Sequence, residues 1–247
     1  MNSPLILHCG AREVSRSELE AIDSPTPTDT WFPMKHSMVV DAVEGTLDRA
    51  GFSIVKSRLA VSHEGFRFFG ILDLNSQIGL TETLSIGIRN SNDKSFPIGF
   101  CCGARTFVCD NLAFSAEIVI SRKHTRFGED RYREGIANAV GTLPQFVANE
   151  TRRIEAMKAQ SLSDDQANSL ILQSAERKVI GWRAIPSVLR EWRMPTRAEF
   201  RVRSTYSLLN AFTEVLKDRF EHQPLKAAYE TISLQKLLCQ DGQALAC

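Results

Sequence analysis

Phe66-Arg67-Phe68-Phe69-Gly70-Ile71-Leu72-Asp73-Leu74 is the stretch that decides the fold class. Phe66, Phe68, Leu72 and Leu74 fall at even spacing, so an extended chain sends them to one face while Arg67 points away. The neighbouring runs repeat that period. Val55, Leu59 and Val61 oppose Lys56 and Arg58 in 53–62, and Leu84, Ile86 and Ile88 oppose Arg89 in 82–89. In 96–105, Phe96, Ile98, Phe100, Cys102 and Ala104 oppose Arg105. His63-Glu64-Gly65, Asn75-Ser76-Gln77 and the polar run from Asn90 to Ser95 supply turns between them. Four short strands in succession, with no helix between them, predict an antiparallel meander with one buried face.

Outward from the meander the period becomes helical. Ser37 is placed to cap a helix over 38–50, whose apolar stripe is Met38, Val39, Ala42, Val43 and Leu47, and Gly51 follows its end. After Arg126, the residues Tyr132, Ile136, Val140, Leu143, Val147, Ile154 and Met157 line one side of a long helix that Pro144 should kink or divide. Ser163-Asp164-Asp165 begins another helix, running to about Val179. Residues 204–220 carry Leu208, Phe212, Val215, Leu216 and Phe220 on one side, and Pro224 opens a last helix with Tyr229, Ile232 and Leu237. The expected class is α+β: an antiparallel β-meander of about four strands with one face covered by long helices. Residues 1–34 read as an acidic, partly irregular leader with one short helix near 14–22. Residues 35–127 read as helix plus meander, and 128–247 as a helical region packing on the sheet within one composite domain.

The chain of 247 residues is 43% hydrophobic and 24% charged, which excludes a disordered tail or a disulfide-stapled miniprotein. Thirty basic and 29 acidic residues leave a net charge of +1, so no global positive field attracts nucleic acid. The first residues have no basic and apolar signal pattern, and no apolar run approaches the ~18 residues of a membrane span. The six cysteines lack framework spacing and are expected as reduced thiols. A soluble, cytoplasmic protein without cofactor is the expectation.

The charge is unevenly placed. Residues 177–203 hold eight basic residues (Arg177, Lys178, Arg183, Arg190, Arg193, Arg197, Arg201, Arg203) against Glu191 and Glu199. Trp182 and Trp192 lie among the arginines. Guanidinium grips phosphate with paired hydrogen bonds and indole stacks on bases, so this segment is a candidate nucleic-acid surface. The alternative is an Arg-rich helix and loop that pairs with the acidic remainder and buries its tryptophans. A second candidate surface is the cationic face of the meander, with Lys56, Arg58, Arg67, Arg89 and Arg105; solvated sheets carry such residues routinely. Lys123, His124 and Arg126 form a basic step between sheet and long helix, where His124 could serve a proton transfer or a phosphate, or simply lie in a surface loop. Cys101, Cys102, Cys109 and His124 raise a metal reading. Adjacent strand cysteines point to opposite faces and no C-x-x-C or H-x-x-x-H spacing occurs, so buried thiols are favoured. No G-x-S-x-G, G-x-x-x-x-G-K or G-x-G-x-x-G is present, and no residue set makes an active site.

Trp31-Phe32-Pro33 with His36, followed by Phe66 to Asp73, resembles the start of the phage/plasmid-like family of uncharacterised bacterial proteins. Gly103-Ala104-Arg105-Thr106-Phe107-Val108-Cys109-Asp110-Asn111-Leu112-Ala113-Phe114 is similar to its most distinctive motif; Arg122-Lys123-His124-Thr125 and Asn210-Ala211-Phe212-Thr213-Glu214 match later steps. The resemblance spans about residues 24–220. It implies a setting in phages, plasmids and other mobile elements, supplies no catalytic residue, and directs attention to Arg105, Asp110, Asn111 and His124. A looser, fold-level likeness is to phage single-strand annealing proteins. The expected function is a nucleic-acid-binding accessory protein of a mobile element, binding or annealing single-stranded DNA and able to oligomerise. Arg58, Arg67, Arg89, Arg105, Arg183, Arg190, Arg193, Trp182 and Trp192 would make its contacts. The rival expectation is a non-enzymatic module that engages a host defence or replication protein. An enzyme acting through His124, Asp110 and Asn111 has only position in its favour.

Overall fold

The alternating runs become the centre of a six-stranded antiparallel sheet in the computed structural model. That structure describes residues 5–7, 10–78, 82–103, 107–109, 114–116, 118–222, 230, 233–234 and 236–238. The side chains of 6, 77, 78, 82, 107–109, 114, 115 and 217–222 are not among those described. In chain order the elements are β1 (Leu5–Ile6), β2 (Arg12–Val14), α1 (Arg16–Glu20), α2 (His36–Arg49), β3 (Ile54–Ser62), β4 (Arg67–Ile78), β5 (Glu82–Ser91) and β6 (Ile98–Gly103). There follow β7 (Phe107–Cys109), β8 (Phe114–Ser115), β9 (Ile118–Arg122), α3 (Gly128–Ala159), α4 (Asp164–Glu176), α5 (Ile185–Arg193) and α6 (Thr205–His222). The large sheet has the order β2-β3-β4-β5-β6-β9. The α+β class stands, and the expected four strands are β3 to β6. Two edge strands add to them: β2 has only three residues and β9, Ile-Val-Ile-Ser-Arg, does not alternate, so neither gives a period-two signal.

Register fixes the faces. Leu59 pairs with Gly70, Gly70 with Ile88, Ile88 with Phe100 and Phe100 with Ile120. Phe68, Leu72, Ile86, Ile88, Ile98 and Phe100 are fully buried on that face. Each such side chain contributes roughly 1.5–3 kcal/mol of transfer free energy. Helix α2 packs there, with the His36 ring 5.6 Å from that of Phe68. The first turns of α3 pack there too: Tyr132 donates from its hydroxyl to the Gly99 carbonyl at 3.3 Å, and Gly135 lets the helix approach Ile120. A Cβ at Gly135 would stand only 3.1 Å from the Ile120 side chain.

The opposite face is not the open cationic surface expected. Phe69 and Ile71 lie on it beside Arg67, and both are buried together with Ala60, Leu5 and Phe96. A second, three-stranded sheet of order β1-β7-β8 covers β4, β5 and β6 on this side. Phe96 does not join the β6 face as its parity suggested; it sits outside the strand with its ring 5.5 Å from Phe69. Val55 falls at a register shift in β3 and is 61% exposed, and Phe66 lies before β4 and is 43% exposed. The leader is partly structural: β1 belongs to the second sheet, β2 pairs with β3, and α1 carries a capping box between Ser15 and Glu18.

Helix α2 starts two residues earlier than Ser37 implied, with Lys35 at its N-cap and no side-chain cap. It ends as expected. Gly51, at φ +79°, gives its N–H to Asp48 O at 2.9 Å, and Phe52 gives its N–H to Leu47 O at 2.9 Å. That pair of bonds closes a Schellman motif, which needs a left-handed residue at Gly51.

The chain forms two compact units, residues 1–148 and 149–247, with the division inside α3. Helix α3 is continuous through Pro144, which has no N–H to give to Val140 O. In the second unit α5 packs on α4 and α6, burying Leu170, Ile171, Val188, Trp192, Leu208 and Phe212. Ser163 caps α4 by a capping box with Gln166, as Ser163-Asp164-Asp165 suggested. The last expected helix, with Pro224, Tyr229 and Ile232, lies largely outside the described residues.

Candidate functional site

In the second unit, the Arg-rich segment becomes a turn of 3-10 helix, Trp182–Ala184, running into α5 with Pro186 in its first turn. Val188 and Trp192, four residues apart, face inward and are buried. Trp192 donates its indole N–H to Asp164 Oδ1 at 2.9 Å, and the Arg203 guanidinium lies 4.7 Å over its ring. Trp192 therefore has no face to offer a base, which removes it from the expected stacking pair. Arg203 also donates to the carbonyls of Trp192 and Arg193, satisfying the open C-terminus of α5. Arg183, Arg190 and Arg193 project from the other side of this helix and are exposed. Trp182 is 59% exposed and Met194 is 77% exposed. The two acids of the segment are engaged elsewhere: Glu191 accepts from the Thr196 N–H and hydroxyl at 2.7 and 2.8 Å, and Glu199 lies 3.9 Å from Arg197. Among the described residues, no carboxylate pairs with Arg183, Arg190 or Arg193.

The cations of the sheet are differently placed. Arg58 donates to Glu13 from Nε at 3.0 Å. Arg67 donates to Asp93 at 2.6 Å and to His63 Nε2 at 2.9 Å. Arg89 is half-buried, its guanidinium 5.3 Å above the Phe96 ring, and burial lowers its pKa. Lys56 is exposed opposite Asp73, whose carboxyl is held above its usual range by burial. The alternation correctly put Lys56, Arg58, Arg67 and Arg89 on one face, but ion pairing and the second sheet keep them from forming a continuous cationic track. Arg105, Asp110 and Asn111 lie outside the described residues.

The basic step divides in the same way. Lys123 and Arg126 are exposed beside Phe127, which is 58% exposed. His124 is only 6% exposed, and burial lowers its pKa, so it is a neutral interior imidazole and not a cationic phosphate contact or a surface-loop residue. The turn that buries it requires Gly128, since a Cβ there would come 2.6 Å from the Lys123 carbonyl oxygen.

His124 belongs to a polar cluster that the sequence did not suggest. Residues 31–36 cross one end of the six-stranded sheet as a strap. Phe32 N–H bonds His124 O at 3.0 Å, and Met34 O accepts from Asn90 Nδ2 at 2.8 Å. His36 Nε2 donates to Gly65 O at 2.8 Å, so Nδ1 is the acceptor and takes the second Asn90 N–H at 2.9 Å. Burial pushes the pKa of His36 down to about 4, leaving it neutral. Trp31 lies against His124, ring centroids 6.1 Å apart, with Lys94 Nζ 5.0 Å from the Trp31 ring. Asn90, buried at a position of the apolar face, was the available clue: an amide there must have partners.

Cys101 and Cys102 are buried thiols on opposite faces of β6. Among the described residues, no three His, Cys, Asp or Glu side chains are grouped to hold a metal ion, and no helix is long and apolar enough to cross a membrane. No protein-family model, curated protein or solved structure matches the chain.

Proposed function

We propose that the protein binds single-stranded nucleic acid through the exposed side of α5 and the turn before it. The observation that carries this reading is Trp182, 59% exposed, next to Arg183, Arg190 and Arg193, which have no carboxylate partner among the described residues. An open indole stacks on any base, and unpaired guanidinium groups hold the adjoining phosphates. Arg177, Lys178, Arg197 and Arg201 extend the positive field, while the near-neutral total limits non-specific attraction. Lys123 and Arg126 beside Phe127 form a smaller patch of the same chemistry in the first unit. The sequence resemblance to phage/plasmid-like proteins supports an accessory role in a mobile element, and rests on its motif residues alone.

Fluorescence anisotropy on labelled single- and double-stranded oligonucleotides, at two salt concentrations, tests the proposal. Three phosphate contacts predict a slope of about −2 in log K against log salt for single strands. Trp182→Ala should weaken binding by about 1–3 kcal/mol, and R190E with R193E should reduce the slope to about −0.7 or less in magnitude. Absence of binding at low salt by folded protein rejects it. Exposed Met194 and Val202, at 77% and 66%, favour the second reading, a protein partner with an acidic surface. A nuclease-resistant stoichiometric complex that R190E with R193E disrupts would favour that reading.

A further inference from the structure

Most described cations of the first unit are tied: Arg12, Arg16, Lys35, Arg58, Arg67 and Arg133 each pair with a carboxylate. Apart from Arg49 and Lys56, the exposed ones that pair with none are not scattered. Lys94, Arg122, Lys123, Arg126 and Arg131 all lie in the turn after β5 or in the passage from β9 into α3. The strap joins those two places. Lys94 Nζ stands 5.0 Å from the Trp31 ring, Trp31 lies against His124, and Phe32 N–H bonds His124 O at 3.0 Å. Lys94, Lys123 and Arg126 thereby border half-buried Trp31 and exposed Phe127. The acids next to these residues in the chain are mostly engaged, Asp93 by Arg67 and Glu129 by Arg133, which leaves Asp29 and Asp130.

Both turns are fixed before any ligand arrives. Lys94 sits at φ +64° in a turn whose Asp93 carboxylate accepts the Ser95 N–H at 3.0 Å and the Arg67 Nε–H at 2.6 Å. Lys123, Arg126 and Phe127 are held by the Thr125–Lys123 and Gly128–Thr125 backbone bonds, 2.9 and 2.8 Å long, beside buried His124. Backbone ordered in advance costs little on binding. Cations spread over two turns suit a run of phosphates better than a single anion, and the open Phe127 ring offers a base a stacking face. We propose that this end of the first unit is a second contact for single-stranded nucleic acid, so that one chain holds two strands. The pairing with α5 rests on the strand-binding reading of that helix; the contact itself does not. Two lysines and one arginine grip phosphate less closely than three arginines, and phenylalanine offers less area than indole, so this is the weaker step.

The test follows short oligothymidylates, which do not pair with one another, on the full chain by anisotropy and by energy transfer between donor- and acceptor-labelled strands. A chain without the α5 surface (Trp182→Ala with R190E and R193E) should retain a weaker, salt-sensitive step, and adding Phe127→Ala should weaken that step about tenfold. K94E with K123E and R126E should keep the α5 step and lose the weaker one; glutamine at the same three positions serves if charge reversal unfolds the chain. Each of these variants should lose the energy transfer that the parent chain supports. No step remaining without the α5 surface, or energy transfer that survives in both variants, overturns the proposal. Displacement of the strand from the weaker step by polyglutamate at equal charge also overturns it and assigns the surface to an acidic protein. If the chain without the α5 surface binds as tightly as the parent and K94E with K123E and R126E abolishes binding, the α5 reading fails while this contact is upheld.

Discussion

Two tryptophans ten residues apart in one cationic segment have opposite fates, and the cause is local. Trp192 follows Val188 by one helical turn and shares its inward side, whereas Trp182 sits in the 3-10 turn before α5 begins. Trp192→Ala should cost about 3–5 kcal/mol in urea unfolding and Trp182→Ala less than about 0.5 kcal/mol. Equal costs would contradict the assigned burial. His36 gives the residue-scale prediction for pH. Its folded pKa of about 4 lies below the ordinary value of 6.5, so between these the unfolded chain binds the extra proton. Stability is full above pH 6.5 and falls on acidification towards pH 4, by up to about 3 kcal/mol. His124 shifts the same way, while Glu44 and Asp73, raised by burial, act in the opposite sense. Urea titrations at pH 7 and pH 4.5 isolate the effect by comparison with His36→Gln, whose amide can supply the same donor and acceptor without titrating. An unchanged pH profile in that variant would refute the assignment.

At the scale of elements, the caps at Gly51 and Ser163 were legible, whereas the cap expected at Ser37 and long-range burial were not. Gly51 and Ser163 announced a helix end and a helix start because their roles depend on neighbours within a few residues. Gly51→Ala and Ser163→Ala should each cost about 1 kcal/mol in thermal or chemical unfolding, one by forcing a side chain to φ +79°, the other by opening the capping box. The period of two likewise identified β3 to β6. It could not reveal β1, β7 and β8, which have two, three and two residues and no periodicity to read. That omission is why Arg67 and Arg89 looked like an open face: Phe69 and Ile71 share it, but only a covering layer makes their presence decisive. His124 was unreadable for the same reason, since the strap that covers it comes from residues 31–36.

For the whole molecule, the division at 148/149 places the sheet and its buried histidines in one unit and the Arg-rich surface in the other. Acid should therefore act unevenly. At pH 4.5, hydrogen exchange followed by mass spectrometry should show lost protection in peptides from 54–103 while peptides from 164–216 remain protected. Simultaneous loss in both would mean that the units unfold as one. The charge divides too. Residues 1–148 carry fifteen basic and seventeen acidic residues, and 149–247 carry fifteen basic and twelve acidic, so the near-neutral total combines a slightly acidic unit with a basic one.

The parallel pairing of β1 with β7 joins Leu5 to Val108 and Ile6 to Cys109. Between those partners lies the entire meander, so this contact closes a loop of about a hundred residues and pays the associated chain entropy in one step. During synthesis the first strand emerges long before its neighbour exists, and Phe69 and Ile71 must wait uncovered until both β7 and β8 have been made. The second sheet can therefore form only after residue 115 has been made, and until then the apolar side chains it covers have no partner from β7 or β8.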